Sequence, residues 1–278
     1  MKINILNWKT PDNYSIHACN WHCENPKAVV LLVHGLGDHA RRYDHVAAAY
    51  NAAGIAVVGV DLRGHGQSDS LRGHIVSFDT VMNDMDLFLK NTKALYKKIP
   101  VFIYGHSMGS NIVLNYVVRR SPKISGVIGT SSWIILGFAP SAFMVFLGKA
   151  MRNIYPAFTQ ANQLNTNHIS RIPIEVKAYE DDPLVHNKIT AATGADVLKS
   201  ADYLRDHKAA FPFPLYLIHG SDDNLISVKG SQLFYENHKN NSKDISIDIV
   251  EGGYHELQND IGKEAFIEKV VSWVSTRV

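Results

Sequence analysis

Six stretches of the chain are almost continuously apolar: "AVVLLVH" (28–34), "IAVVGVD" (55–61), "VFIYGH" (101–106), "ISGVIGTSS" (124–132), "FPLYLIHG" (213–220) and, more weakly, "ISIDIV" (245–250). Runs this short and without polar alternation predict strands buried on both faces. Between them lie helical periodicities over 42–53, 77–98, 108–120, 227–239 and 260–276. The first 25 residues alternate weakly and predict a β-hairpin of Lys2–Lys9 with Tyr14–Trp21. Strands alternating with helices predict an α/β fold, a mostly parallel sheet with helices on both faces.

One stretch breaks the rhythm. Residues 133–208 contain no clear buried-strand run, yet sheet-type strands resume beyond them. The expected organisation is therefore one core domain, 1–132 with 209–278, interrupted by an inserted helical cap at 133–208. Within the cap, "SAFMVFLGKAMR" (141–152) puts Ser141, Gly148, Lys149 and Arg152 on one side of a helix. Its apolar residues cover an arc of roughly 200°, where a surface helix needs a stripe only somewhat over 100° wide. The surplus predicts two duties: one part of the helix packs over the site, and another faces a lipid chain or a bilayer. Phe143 and Phe146 are candidate substrate contacts on this helix, and Phe138 and Phe158 would extend the apolar lining. A greasy lid favours a substrate with a long acyl chain.

Composition narrows the partners. The 278 residues are 46% apolar and carry a net charge of +2, with 28 basic and 26 acidic side chains spread along the chain. No basic stripe appears, so nucleic acid is not expected as a partner. The two cysteines, Cys19 and Cys23, imply no disulfide framework. There is no apolar run of signal-peptide or membrane-spanning length. A cytoplasmic protein, at most peripheral at membrane surfaces, is expected. "HACNWHC" (17–23) has a spacing that fits none of the common zinc patterns, so no metal is expected. "DLRGHGQSD" (61–69) lacks the Gly-Lys-Ser/Thr of a phosphate loop.

The chemistry gathers where the predicted strands end. "IYGHSMGSN" (103–111) places Ser107 between Gly105 and Gly109, at a strand-to-helix junction. A serine hydroxyl needs a base to take its proton, a third group to orient that base, and donors for the oxyanion it generates. The glycines allow the sharp turn, and Met108 N–H at the helix start is one donor. Gly35-x-Gly37 after another strand brings up Leu36 N–H as the second. His34, in a buried strand, is expected to be structural. Downstream, "LIHGSDDNLIS" (217–227) carries two adjacent aspartates after a strand, and "IVEGGYHELQ" (249–258) places His255 after the next. Serine, acid, histidine in that chain order form a nucleophile–base–acid set. The pattern alone leaves Asp222 and Asp223 equivalent.

The set "HGLGDHARRY", "DLRGHGQSD", "GHSMGS", "HGSDDNLIS" and "GGYHEL" resembles the α/β-hydrolase superfamily, within it the monoacylglycerol lipase and lysophospholipase branch (the serine aminopeptidase group). The resemblance implies an α/β-hydrolase fold with an inserted cap. It implies Ser107 as nucleophile, His255 as base, Asp223 as the orienting acid, and Leu36 and Met108 as oxyanion donors. It also implies a polar substrate-binding cluster at Asp38, Arg42 and Tyr179. Three positions depart from the family pattern: Asp38 stands for a glutamate, Gln258 for a histidine and Ile226 for a cysteine. The expected activity is serine carboxylester hydrolysis of monoacylglycerols, without a cofactor. Lysophospholipase or short-chain carboxylesterase activity is the alternative.

Overall fold

The computed structural model describes residues 2–278. A hairpin of β1 (Lys2–Lys9) and β2 (Ser15–His22) leads to β3 (Ala28–Val33), α1 (Asp44–Ala52), β4 (Ile55–Val60), α2 (Phe78–Leu95), β5 (Val101–His106), α3 (Met108–Arg120) and β6 (Gly126–Thr130). Then come α4 (Ala142–Ile154), β7 (Thr159–Ala161), α5 (Pro173–Asp181), β8 (Lys188–Thr190) and α6 (Ala191–Asp206). The chain closes with β9 (Leu215–Gly220), α7 (Val228–His238), β10 (Ile245–Val250) and α8 (Lys263–Ser275).

Eight strands form one sheet in the order β1-β2-β4-β3-β5-β6-β9-β10. β1 and β2 pair antiparallel, as do β2 and β4; every other pairing is parallel. The central strands are apolar throughout because each has a core on either side. Val29, Leu31 and Val33 of β3 face one core with Phe88 of α2 and Ile112 of α3. Ala28, Val30 and Leu32 face the other, with Tyr50 of α1 and Val270 of α8. Fully burying one such aliphatic side chain contributes about 1.5–3 kcal/mol. β10 is the edge strand, and its half-buried residues explain its weaker pattern.

The stretch 133–208 is not uniform. β7 and β8 form an antiparallel ribbon of three residues a strand, too short to leave a periodic signal. α6 lies against α2 and α3: Ser200 Oγ donates to Asn111 Oδ1 (2.7 Å), and Phe78 N–H to Asp196 Oδ2 (3.1 Å). α4, by contrast, buries only Gly148.

The carboxyl ends of β3, β5, β9 and β10 open on one side of the sheet. In open parallel sheets ligands bind there.

Candidate active site

Ser107 sits between β5 and α3 with φ 55° and ψ −118°, a backbone conformation that L-residues adopt only under constraint. Such a conformation costs about 1–3 kcal/mol and marks a functional turn when its surroundings enforce it. They do so here. A Cβ on Gly105 would lie 2.7 Å from Gly109 O, and one on Gly109 would fall on the carbonyl oxygens of Val33 and His34. Ser107 N–H donates to Thr130 O (2.9 Å), at the tip of β6. The loop after β3 presses on the same serine, since a Cβ on Gly35 would stand 3.2 Å from Ser107 Cβ.

Asp223 and His255 meet across the ends of β9 and β10. His255 Nδ1 donates to Asp223 Oδ2 (2.7 Å). Asp223 Oδ1 accepts from the N–H groups of Leu225 and Ile226, both at 2.9 Å. The adjacent Asp222 is exposed, and its carboxylate accepts from Ser221 Oγ, not from a histidine. The structure thus separates the two aspartates that the sequence leaves equivalent. Sequence reasoning missed His219, whose Nε2 donates to Asp223 Oδ2 (3.1 Å) while its Nδ1 accepts from Ser231 Oγ (2.7 Å). The only signal was its place at the end of "LIHG".

The electrostatics follow from these contacts. Burial pushes the Asp223 carboxyl up, but His255 and His219 outweigh it and hold it well below the usual carboxylate range. Burial pushes the His255 imidazole down; Asp223, with Glu256 and Asp38 behind it, outweighs that and leaves it above its ordinary value. The neighbouring His106, 4.9 Å from His255 between ring centroids, goes the other way. Burial and the charge of His255 push it down to about 3. A histidine that stays neutral beside the base does not compete for its proton. The His255 carbonyl accepts from Ser131 Oγ (2.7 Å), so Thr130 and Ser131 fasten the serine turn and the histidine loop together.

Leu36 borders the cavity that Ser107 and His255 also line. Met108 is the first residue of α3, and first-turn N–H groups have no partner within their helix. His34 lies beneath this loop: its Nδ1 donates to Gly35 O (2.7 Å) and its Nε2 accepts from Leu62 N–H (3.0 Å).

Asp38 and Tyr179 line the same cavity, and Arg42 contacts both. Arg42 donates through Nη1 and Nη2 to Glu256, both at 2.7 Å, and through Nη1 to Asp38 Oδ1 (3.2 Å). Its guanidinium stands 4.7 Å from the centre of the Tyr179 ring. Tyr43 Oη donates to Asp38 Oδ2 (3.1 Å). Glu256, missed from sequence, is the residue that couples this cluster to the histidine preceding it. Its signal was only the second letter of "HEL". Burial pushes Glu256 up, but Arg42 outweighs it and keeps the carboxyl ionised. Of the three departures from the family pattern, Ile226 lines the cavity beside Asp38, and the buried Gln258 accepts from His45 Nε2 through its backbone carbonyl (2.8 Å).

The cavity lined by Ser107 and His255 spans about 460 Å³, counting space open to solvent. Leu36, Trp133, Leu136 and Leu164 also border a second, apolar cavity of about 730 Å³ between α4 and α6. Met144, Val145 and Gly148 of α4 line it, and so does Phe138. Phe143 and Phe146, expected as substrate contacts, do not: they are 67% and 71% exposed. Successive residues on a helix turn by 100°, so the apolar arc has two sides. The side of α4 that carries Gly148 and Lys149, expected to be polar, faces the cavity together with Met144 and Val145, while Phe143 and Phe146, in the middle of the apolar arc, face outward. Phe158 lies outside both cavity linings.

Comparison with known proteins adds to this geometry. Residues 24–262 match the family described as serine aminopeptidase, S33. The chain is 31% identical over 251 residues to a monoacylglycerol lipase of Mycolicibacterium smegmatis, covering 90% of this chain and 89% of that one. It is 32% identical over 280 residues to an uncharacterised abhydrolase domain-containing protein of Dictyostelium discoideum, and spans 30% of that protein's length. The crystal structure of Paleococcus ferrophilus monoacylglycerol lipase superposes with a TM-score of 0.85 at 31% identity, covering 100% of both chains.

Proposed function

The chain belongs to the serine aminopeptidase, S33 family, and from that premise we propose that it is a serine hydrolase cleaving monoacylglycerols to fatty acid and glycerol. The observation that carries this reading is the pairing of two unlike surroundings about the Ser107 cavity. On one side lies the apolar cavity between α4 and α6, suited to an acyl chain. On the other lies the Asp38–Arg42–Glu256–Tyr179 cluster, suited to hydroxyl groups.

Ser107 Oγ attacks the ester carbonyl carbon while His255 Nε2 takes its proton. Asp223 holds the imidazole in the tautomer that leaves Nε2 free, and stabilises the imidazolium that forms. The carbonyl oxygen becomes an oxyanion, held by the N–H groups of Leu36 and Met108. The intermediate collapses, the bond to the glycerol oxygen breaks, and the proton on His255 passes to that oxygen. Water then attacks the acyl-enzyme with His255 again as base. Fatty acid leaves and Ser107 recovers its proton.

A phosphate-bearing headgroup fits less well. Arg42, the basic residue of the cluster, is engaged by both Glu256 and Asp38, and Arg41 pairs with Asp44 (2.7 Å) at the surface. The outer face of α4 presents Phe143, Phe146 and Ile154, all more than two-thirds exposed, and this face makes peripheral contact with lipid surfaces. No helix among the described residues is long and apolar enough to cross a membrane. The unpaired Cys19 and Cys23 support a reducing, cytoplasmic setting. Organisation into a core of 1–132 with 209–278 and a cap at 133–208 is part of the same reading.

The test is fatty acid release from 1-monoacylglycerols, lysophosphatidylcholine and p-nitrophenyl butyrate, with Ser107→Ala as blank. Hydrolysis of long monoacylglycerols, abolished in the blank, is the expected result. Preference for lysophosphatidylcholine, or equal rates in the blank, would overturn it.

A further inference from the structure

Gly148 lies in the interior of α4 and is the residue that helix buries. Glycine inside a helix lowers stability relative to alanine, and the usual reason for it is a neighbour too close to admit a Cβ. The other buried glycines of this protein have that reason. A Cβ on Gly126 would lie 2.8 Å from the Trp273 ring, and one on Gly105 2.7 Å from Gly109 O. A Cβ on Gly148 meets no atom within 4 Å. It points instead at the apolar cavity that Gly148 lines.

Gly194 of α6 lines the same cavity from the other helix. A Cβ there would meet only side-chain atoms of Ile189, at 3.7 and 4.0 Å, which is ordinary contact. Packing therefore requires a missing side chain at neither position. What the two absences create is room, in a cavity that shares Leu36, Trp133, Leu136 and Leu164 with the one at Ser107.

We propose that Gly148 and Gly194 set the bore of the acyl passage between α4 and α6, and thereby the length of acyl chain this enzyme accepts. The inference deepens the monoacylglycerol reading above and rests on it. A short acyl group is accommodated near Ser107 and does not reach the two glycines. A long one runs between the helices, where each further methylene leaves water only if the passage stays open.

The test compares wild type with Gly148→Phe, Gly194→Leu and Gly148→Ala on two substrate series, p-nitrophenyl esters and 1-monoacylglycerols, each with butanoyl, octanoyl and hexadecanoyl chains. Gly148→Phe is expected to lower the hexadecanoyl-to-butanoyl ratio of kcat/KM by at least about tenfold in both series. Gly194→Leu is expected to move it the same way, which guards against a folding defect in the first variant. Gly148→Ala should move the ratio far less and raise the Tm, since its methyl fits and alanine favours the helix. A ratio unchanged in both bulky variants, or equal losses at every chain length, would overturn the proposal. Wild type that hydrolyses the aryl esters but no monoacylglycerol would overturn the headgroup reading, while the aryl series still decides the bore. Wild type inactive on both series would overturn both.

Discussion

The serine–histidine–aspartate region and α4 border two cavities that share four lining residues, and are built on opposite plans. Around Ser107 almost every group is held more than once. Asp223 accepts four hydrogen bonds, from two backbone N–H groups and two histidines, and the strained serine is fixed by glycines on both sides. α4 buries one residue, and its Phe143, Phe146 and Ile154 stand in solvent. The first arrangement suits a reaction that needs reacting atoms placed to a fraction of an ångström. The second suits a wall that must admit a chain and meet a greasy surface. The contrast teaches that apolar content alone does not distinguish a core from a lid; what the apolar groups touch does.

The contrast can be broken most severely at its rigid end. Asp223→Asn removes the charge that sets the His255 tautomer, and kcat is expected to fall about 10⁴-fold, measured on p-nitrophenyl butyrate. The pH profile supplies the sign. His255 acts as base only when neutral, and its pKa is raised above the ordinary imidazole value of 6.5. Wild-type kcat/KM should therefore be lost as pH falls through a midpoint above that value. In Asp223→Asn the largest raising charge is gone and burial is opposed only by the more distant Glu256 and Asp38, so the residual activity should show a lower midpoint. An unchanged midpoint would mean that Asp223 does not set the base.

A smaller effect is expected one step outward. Glu256→Gln leaves the Arg42 guanidinium, a tenth exposed, with only Asp38 as an ionic partner. Breaking a buried ion pair costs about 3–5 kcal/mol, so chemical denaturation should show a loss of that order. KM for monoacylglycerols should rise more than kcat falls. The smallest effect on the fold belongs to α4. The double substitution Phe143→Asp with Phe146→Asp should shift stability by no more than about 0.5 kcal/mol and spare hydrolysis of a water-soluble ester. Flotation with phosphatidylcholine vesicles should be lost. Flotation unchanged would remove the outer face of α4 as a membrane contact.

The rigid region was also the legible one. Strands buried on both faces write continuous apolar runs, and the residues at their ends follow from the topology, so Ser107 and His255 stand out. Asp222 and Asp223 do not separate, because neighbours on a turn differ only in which points inward, and burial decides that. His219 and Glu256 act through partners distant in sequence, and each shows as a single letter with no period around it. On α4 the width of the apolar arc is readable but its rotation is not, so Phe143 and Phe146 were assigned to the inner side that Met144, Val145 and Gly148 occupy. β7 and β8 are too short for any pattern to form.

The tip of β6 has a consequence for how the enzyme tolerates heat. Thr130 accepts from the serine turn, and Ser131 grips the histidine loop through one hydroxyl. Nucleophile and base come from parts of the chain far apart in sequence, yet they share one anchor two residues long. Displacement of that anchor carries both in the same direction, as common-mode motion, so it disturbs their separation less than it disturbs their position.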